Sequence, residues 1–326
     1  MHDTAPTASA ILVTPDNFVR AESDLFFSAL ALKEKAFGRF NHHREPAPVE
    51  EQNVIRLNRD TLYSSAVFDL DAGPVTVTLP DPGPRFMSMQ VINQDQYTLA
   101  VFYGAGTHKL TREEVGTRYV VVGIRTLANP QDAADLKTAH GLQDAIKLDQ
   151  PAGPGSFEVP HWDKASQDKV RGALLTLATT LPDTKGMFGT KSQVDPVRRL
   201  IGAASAWGGN PESEALYLNV SPEKNDGKTV YRLTVRDDVP VDGFWSISLY
   251  NAKGYFEPNS LNAYSVNNIT ARKDADGAVT VQFGGCDGEA PNCLPITPGW
   301  NYLVRLYRPR KEVLNGTWSF PTPTPI

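Results

Sequence analysis

The feature that most constrains the fold is a period-two alternation of apolar and polar residues in two separate parts of the sequence. In the first part the alternation covers residues 75–79 and 87–91, and in the second part it covers 231–235, 279–283 and 302–306. Half-buried antiparallel strands show this pattern because successive side chains point to opposite faces of the sheet. We therefore expect a mainly β protein with two β regions, the first a sandwich or barrel of about six to eight strands.

Helical signals lie before and between the two β regions. Thr14-Pro15-Asp16 combines a capping residue, a proline suited to the first turn and an acidic residue, and predicts a helix to about residue 37. Further starts at Asn129-Pro130, Asp163 and Asp195-Pro196 predict three helices between the β regions. The chain is thus expected to be α+β, with α-helices joining the two β halves.

These patterns divide the chain into three parts. Residues 1–126 hold the N-terminal helix and the first β region, residues 127–210 form a helical connecting segment, and residues 211–326 form the second β region. We find no short internal repeat, although the two β regions could be distant copies of one plan.

Composition excludes several classes of protein. The chain has 326 residues, of which 40% are hydrophobic and 21% charged, with a net charge of −5. A chain of this length buries a core without a metal or a dense disulfide frame. Nucleic acid is excluded as a partner because no concentrated basic face is visible. No apolar stretch is long enough to span a membrane.

The two cysteines, Cys286 and Cys293, enclose a short loop rich in Gly, Asp and Pro, and we expect them to form a disulfide. A disulfide favours an oxidising compartment. The first residues lack the basic and apolar regions of a signal peptide, so we expect a periplasmic or secreted protein whose leader is missing from this sequence. Two free thiols in a cytoplasmic protein are the alternative.

Common catalytic motifs are missing from the sequence. It contains no Gly-x-Ser-x-Gly, no phosphate-binding loop, no dinucleotide-binding glycine pattern and no His-Glu-x-x-His. We therefore expect no organic cofactor and no metal. His42 and His43 are adjacent and point different ways in a strand or helix, so metal-assisted hydrolysis through them is a weaker alternative.

The most informative polar run is the turn from Asn58 to Thr61, which separates predicted strands at 54–57 and 62–70. Turns usually recruit residues for backbone reasons, but this one places Arg59 beside Asp60. An arginine keeps a neighbouring carboxylate ionised, and its guanidinium can also hold an anionic group. The alternative is an Asx-type turn and an Arg–Asp pair that only fix the entry to the strand.

Tyr63 follows this turn and shares one strand face with Ser65 and Val67. Two further polar runs, at 93–104 and 245–268, are rich in Asn, Gln and Tyr, which are typical of sugar and small polar ligand sites. Solvated hairpin loops look similar in sequence and are the alternative. The candidate substrate-binding residues are Asn58, Asp95, Tyr97, Tyr103, Tyr250, Asn262 and Tyr264.

Long segments carry a family resemblance. QNVIRLNRDTLYSSAVFDLDAGPVTVTLPD and RFMSMQVINQDQYT resemble the bacterial domain of unknown function family 1254. GYFEPNSLNAYSVNN, VTVQFGGCDGEAPNCLPITPGWNYLVRLYRPR and NGTWSFP resemble family 1214, which usually follows it on the same chain. The resemblance implies two β-sandwich, jelly-roll-like domains with a helical segment between them. It assigns no reaction, but its recognisable strings are the polar runs, which favours a site at Asn58, Arg59, Asp60 and Tyr63.

The resulting hypothesis is an exported bacterial enzyme, a hydrolase or lyase, that acts on a small polar or ester-like molecule by acid–base chemistry. Asp60 would act as the general base or as an orienting group, and Arg59 would hold an anion. Tyr63, together with Tyr264 or Tyr97, would donate a proton. The alternative is a module that binds a saccharide or a partner protein without turnover. Pairing of exposed sheet edges would make the protein a homo-oligomer.

Overall fold

The computed structural model describes residues 9–52, 55–236 and 239–326, and within these ranges the chain is mainly β. The strands are β1 (Asn41–His42), β2 (Thr61–Asp69), β3 (Val75–Leu79), β4 (Met87–Asn93), β5 (Thr98–Tyr103), β6 (Gly106–Leu110), β7 (Tyr119–Leu127), β8 (Lys147–Asp149), β9 (Ala215–Val220), β10 (Tyr231–Val235), β11 (Trp245–Tyr250), β12 (Ser265–Asn267), β13 (Val279–Phe283), β14 (Cys293–Leu294), β15 (Asn301–Tyr307) and β16 (Thr324–Pro325). The helices are α1 (Phe18–Ser28), α2 (Arg112–Val115), α3 (Ala133–Asp144), α4 (Lys164–Ala178), α5 (Pro196–Ser205) and α6 (Lys311–Leu314), with a π-helical turn (Ala29–Lys33) after α1.

The first β region forms two antiparallel sheets, one with the strand order β1-β2-β7-β4-β5 and one with the order β6-β3-β8. Apolar side chains from both sheets meet in one core. Its buried members include Phe68, Val75, Val77, Met89, Val120, Val122 and Ile124. The predicted alternation at residues 75–79 and 87–91 falls on β3 and β4, where alternate residues contribute to this core.

The second β region also contains two sheets, with the orders β12-β11-β15-β9 and β14-β13-β10-β16. Their pairings are antiparallel except between β13 and β14. A second core lies between them and includes Ile247, Val281, Phe283, Trp300, Tyr302 and Val304. The prediction of a mainly β chain with several antiparallel sheets is therefore confirmed.

The three helices predicted between the β regions correspond to α3, α4 and α5. Each begins where a side-chain carboxylate accepts backbone N–H bonds, from Asp132, Asp163 and Asp195 respectively. α3 ends at Asp144, earlier than predicted, because the following residues Lys147–Asp149 pair with β3 instead. α4 and α5 pack against α1 around a separate apolar core, so the helices form a cluster with the N-terminal helix.

Two predicted boundaries are wrong. α1 begins at Phe18, later than predicted, because the Asn17 side chain accepts the Thr14 N–H at 2.8 Å and forms a turn there. The predicted strand at 54–57 begins at Val54, which lies outside the described residues, and the rest is not a strand. Arg56 has φ of 56° and its N–H bonds the carbonyl of Gly254 at 2.8 Å, so the chain turns there.

Cys286 and Cys293 form the predicted disulfide, which closes the loop between β13 and β14. None of the helices in the described ranges is long and apolar enough to cross a membrane.

A buried ion pair joins α1 to α4 and provides a test of the helical cluster. Glu22, which is 2% exposed, accepts two bonds from Arg171 at 2.9 and 2.6 Å and one from Gln167 at 2.9 Å. Replacing Glu22 by Ala leaves both donors without their acceptor. We expect the free energy of unfolding to fall by about 3 kcal/mol, the lower end for a broken buried pair, because Arg171 retains some access to water.

Urea unfolding followed by circular dichroism measures this change. Glu212→Ala, at an exposed loop position, is the matched control and should alter stability by less than about 0.5 kcal/mol. Equal effects of the two substitutions would show that the Glu22 contacts do not stabilise the cluster.

Candidate functional site

The five-stranded sheet carries a polar row on the face opposite its core. Cross-strand pairing places Tyr63 of β2, Arg125 of β7, Ser88 of β4 and Tyr103 of β5 side by side. Arg125 lies near the middle of this row, in a strand whose sequence, YVVVGIRTL, is otherwise largely apolar. A guanidinium is therefore held on the sheet face opposite the apolar core, where it is largely shielded from water and needs polar partners.

The sheet formed by β12, β11, β15 and β9 has a comparable polar row, with Arg305 of β15 between Ser246 of β11 and Tyr217 of β9. The polar faces of the two β regions meet at one end. There the rings of Phe86 and Tyr307 lie 5.2 Å apart. The candidate site lies where these faces come together.

Asn58 connects the two faces. Its Nδ2 lies 3.1 Å from the Tyr63 hydroxyl, 3.2 Å from the Tyr307 hydroxyl and 3.1 Å from the hydroxyl of Thr61. Its Oδ1 accepts the N–H of Asp60 at 2.8 Å, which forms the Asx-type turn that the sequence suggested. The turn thus holds one amide against a phenol from each β region. An amide nitrogen has only two hydrogens for its three acceptors.

The pKa values of the two phenols are shifted in opposite directions, although both hydroxyls contact the same amide. Burial alone would raise the pKa of Tyr63, but the positive charge of Arg125 and the hydrogen bonds from Asn58 and Thr61 outweigh it and lower that pKa. The Arg125 Cζ lies 5.5 Å from the centre of the Tyr63 ring. Burial raises the pKa of Tyr307 well above its ordinary value, and the neighbouring phenols of Tyr217 and Tyr63 raise it further.

Arg125 is held by an amide network that reaches the end of the helical segment. Its Nη1 donates to Gln90 Oε1 at 2.8 Å, and Gln90 Nε2 donates to the carbonyl of Gly209 at 3.0 Å. In the same loop Asn210 Nδ2 donates to the Tyr217 hydroxyl at 3.0 Å. The site thus draws residues from both β regions and from the segment between them.

Tyr63, Arg125 and Tyr217 are all partly exposed, whereas Gln90 and Tyr307 are buried. Part of the surface of three of these residues is therefore accessible to solvent. We call the set of Asn58, Tyr63, Arg125, Tyr217 and Tyr307 the phenol cluster.

Arg59 and Asp60 do not pair with each other. Asp60 is 1% exposed, its Oδ1 accepts Asn267 Nδ2 at 3.1 Å, and its Oδ2 has no hydrogen-bond partner within the described ranges. Arg59 donates to the carbonyl of Ala47 and lies over the Tyr264 ring at 5.2 Å. Burial lowers the pKa of Arg59. Adjacent residues in the turn thus face different surroundings.

Arg305 fixes the chain just before this turn. Its Nη1 donates to the Ser248 hydroxyl at 2.8 Å, and its Nη2 donates to the Tyr250 hydroxyl at 2.9 Å and to the carbonyls of Arg56 and Leu57 at 2.8 and 3.2 Å. Burial opposes the charge, but the neighbouring Tyr250, Tyr307 and Asp60 raise the pKa of Arg305 above its ordinary value. Tyr250, a candidate binding residue, is therefore part of the support for the turn.

The remaining candidates lie apart from the phenol cluster. Asp95 forms an ion pair with Arg20 of α1 at 2.5 Å, and Tyr97 lies under Arg199 of α5 at 4.7 Å, so both contact the helical cluster. Asn262 is exposed in the loop before β12. Tyr250 and Tyr264 line a cavity of about 10 Å³, which has room for a single water molecule.

Tyr103 lies in an open cleft of about 410 Å³ next to the cluster, lined also by the 81–87 segment, Gly104 and Arg308. Several of the polar groups around this cleft are already paired. Tyr103 donates to Glu214 at 2.7 Å, and Arg85 forms an ion pair with Asp135. Because the polar groups of the phenol cluster lack such carboxylate partners, the cluster is the better candidate for chemistry.

The two adjacent histidines point in different directions, as expected for neighbours in a strand. His42 Nδ1 lies 2.8 Å from the Ser64 hydroxyl, and His43 Nε2 lies 3.0 Å from Glu34 Oε2. The hydrogen bond to Glu34 raises the pKa of His43, and burial lowers that of His42. Among residues 9–52, 55–236 and 239–326, no three His, Cys, Asp or Glu side chains come together as ligands for a metal ion.

Of the residues in the phenol cluster, the sequence indicated Asn58 and Tyr63 as candidates but not Arg125, Tyr217 and Tyr307. A signal for one of them was present, because a lone arginine interrupts the apolar strand YVVVGIRTL. Arg305 interrupts NYLVRLY in the same way. A charge in the middle of an apolar strand needs a buried partner or a ligand.

Comparisons with known proteins agree with the family resemblance. Residues 37–123 match the family described as "Protein of unknown function (DUF1254)", and residues 215–311 match "Protein of unknown function (DUF1214)". No curated protein matches the chain.

Two solved structures are similar in fold. The VPA0106 protein from Vibrio parahaemolyticus is 19% identical, with a TM-score of 0.73 over 96% of this chain and 97% of that one. An uncharacterised protein from Burkholderia cenocepacia is 12% identical, with a TM-score of 0.52 over 95% of this chain and 88% of that one. At these identities the likeness concerns the fold alone.

The lowered pKa of Tyr63 can be measured by following phenolate absorbance in the near ultraviolet as the pH is raised. We expect one phenol of the native protein to ionise below the ordinary tyrosine value of about 10, and this step to be missing in Tyr63→Phe. Arg125→Gln should move the step to higher pH, because removing a nearby positive charge disfavours the phenolate.

Tyr97→Phe is the matched control, since it removes a phenol from outside the cluster and should leave the early step in place. If the early step persists in Tyr63→Phe, the low pKa belongs to another residue.

Proposed function

We propose that this chain, with its DUF1254 region followed by a DUF1214 region, is an enzyme that acts on a small polar or ester-like molecule by acid–base chemistry, as a hydrolase or a lyase. The observation that supports this function is the geometry at Asn58, whose amide nitrogen lies within 3.2 Å of one phenol from each β region, and one of these phenols, Tyr63, lies beside Arg125. Two titratable groups whose pKa values are shifted apart by their surroundings are suited to the separate roles of base and acid.

In this mechanism Tyr63 is the general base. As a phenolate it takes a proton either from a water molecule that attacks a carbonyl carbon or from a substrate carbon whose electrons form a new double bond. Arg125 stabilises the negative charge of Tyr63 before the transfer. Tyr307 remains protonated because its pKa is raised, and it donates its proton to the leaving oxygen as the carbon–oxygen bond breaks.

The roles first considered for Arg59, Asp60 and Tyr63 change in this proposal, and Tyr63 takes a proton instead of donating one. Arg125, rather than Arg59, would hold an anionic group, since Arg59 packs on Tyr264 and bonds a backbone carbonyl. Asp60 would be a positioning residue, whose carboxylate balances the charge of Arg305 while its backbone N–H fixes Asn58.

We further propose that the paired sheets of each β region form β-sandwiches of the jelly-roll kind, with the helical segment as their connection, and that the protein works in the periplasm or outside the cell. The disulfide is compatible with an oxidising compartment. Fractionation of the source bacterium, with detection by antibody, would test the location, and recovery only from the cytoplasm would contradict it.

The function is tested by incubating the protein with pools of small esters and hydroxy acids and following their masses over time. We expect multiple turnover of at least one compound by the native protein. Tyr63→Phe and Tyr307→Phe should each lower kcat by at least about a hundredfold, because each removes one proton-transfer group. Thermal unfolding should confirm that both variants are folded.

Tyr97→Phe is again the control and should retain kcat within about twofold, since it does not contact the cluster. Full turnover by Tyr63→Phe would reject the proposed base. Saturable binding of a compound that never changes in mass would favour the alternative, a binding module without catalysis.

A further inference from the structure

The phenol cluster is rich in hydrogen-bond donors and poor in acceptors. The hydroxyl oxygens of Tyr63 and Tyr307 accept from Asn58, and that of Tyr217 accepts from Asn210. A phenol that accepts a bond still has its own hydrogen to donate. In the described part of the chain, none of these three hydroxyls donates to another protein group.

Arg125 adds further donors to the same space. A guanidinium has five N–H groups, and here the guanidinium hydrogen-bonds Gln90 Oε1 and the Tyr63 phenol. No carboxylate forms an ion pair with Arg125 anywhere in the described ranges. Its side chain is partly exposed, and none of its nitrogens is both sealed from solvent and without a partner. Any Arg125 nitrogen that has no protein acceptor is therefore in contact with solvent.

We propose that the phenol cluster binds an oxyanion, namely a carboxylate group of the substrate, between Arg125 and the hydroxyl of Tyr217, which leaves Tyr63 and Tyr307 for the proton transfers. A carboxylate has only acceptor atoms, and its two oxygens match the fork of an arginine. This inference rests on the proposed function only in calling the ligand a substrate.

The charge of the site favours a carboxylate over a phosphate. Arg125 is the one cation of the cluster, and the nearby Arg305 already has four protein acceptors within hydrogen-bonding distance. A monoanion balances one buried cation, whereas a phosphate dianion would leave an uncompensated charge in a partly desolvated place. The substrate class is therefore a small carboxylic acid that also carries the bond to be broken.

Binding such an anion would also change the base. The carboxylate neutralises Arg125, and with that charge balanced the phenolate of Tyr63 is less favoured, so its affinity for a proton rises. A smaller fraction of Tyr63 is then phenolate at a given pH, although the phenolate that remains is a stronger base. This coupling gives a signal that needs no turnover, because the phenolate step of Tyr63 moves to higher pH when the anion binds.

The test uses acetate, benzoate, succinate and inorganic phosphate, with chloride at equal ionic strength as the reference. Calorimetry and thermal unfolding are measured for the native protein, for Tyr63→Phe, for Arg125→Gln and Arg125→Lys, and for Arg199→Gln. Arg199 also lies over a tyrosine ring but outside the cluster, which makes it the matched control. Phenolate absorbance is recorded with and without each anion.

We expect saturable binding of at least one carboxylate, a rise in the pH of the Tyr63 ionisation step, and weaker binding of phosphate. Arg125→Gln should weaken binding at least about tenfold, and Arg125→Lys should have an intermediate effect because it keeps the charge without the fork. Arg199→Gln should bind as the native protein does.

Equal effects of all anions, including chloride, would show a salt effect only and would overturn the proposal, as would unchanged binding by Arg125→Gln. Stronger binding of phosphate would overturn the choice of carboxylate. Comparing binding with turnover separates this inference from the proposed function. Binding without turnover by the native protein rejects the enzyme and keeps the anion site, whereas turnover of neutral compounds with no anion binding does the reverse.

Discussion

The hydrogen bonds of Arg305 are the constraint on which the rest of the site depends. This residue is 2% exposed on a central strand of its sheet, and two of its bonds go to the carbonyls of Arg56 and Leu57 from the other β region. A buried guanidinium must satisfy its donors, so the chain around residue 57 has little freedom to move away. This attachment fixes the position of Asn58, whose amide contacts both the Tyr63 and the Tyr307 hydroxyls.

The balance of charge is the reason for proposing that the site is reactive rather than only structural. The polar faces carry two arginines, Arg125 and Arg305, and one buried carboxylate, Asp60, which interacts with Arg305. Arg125 is left with amide and phenol neighbours. Its charge acts on the neighbouring Tyr63, which can become negative, and lowers that pKa. If Arg125 only stabilised the fold, we would expect a carboxylate beside it as an ion-pair partner.

The sequence predicted the local features of the fold well. Period-two alternation located β3, β4, β10, β13 and β15, and acidic or Asn-Pro starts located the helices, because both signals depend on residues close in the chain. Asn58 and Tyr63 were found for the same reason, since the turn and the strand that follows it are local. The expected Arg59–Asp60 pair did not form because each side chain found a partner from a distant segment, Ala47 and Asn267 respectively.

The rest of the site depends on long-range packing that one sequence does not reveal. Asn58 and Tyr307 are separated by 249 positions, and Gln90 and Gly209 by 119. Cross-strand register decides that Arg125 lies beside Tyr63, and a shift by one residue would have turned Arg125 to the other face. The lone arginine in an apolar strand indicated that something polar was needed, but the pattern alone did not identify the partner.

The Asn58 bridge has an evolutionary consequence. The proposed base comes from the DUF1254 region and the proposed acid from the DUF1214 region, so neither region alone holds a complete pair. Encoding both on one polypeptide supplies the two halves in equal number and removes the need for them to find each other by diffusion. Selection on the catalytic pair would then act on the order and spacing of the two regions as a unit, which gives a chemical reason for their occurrence together.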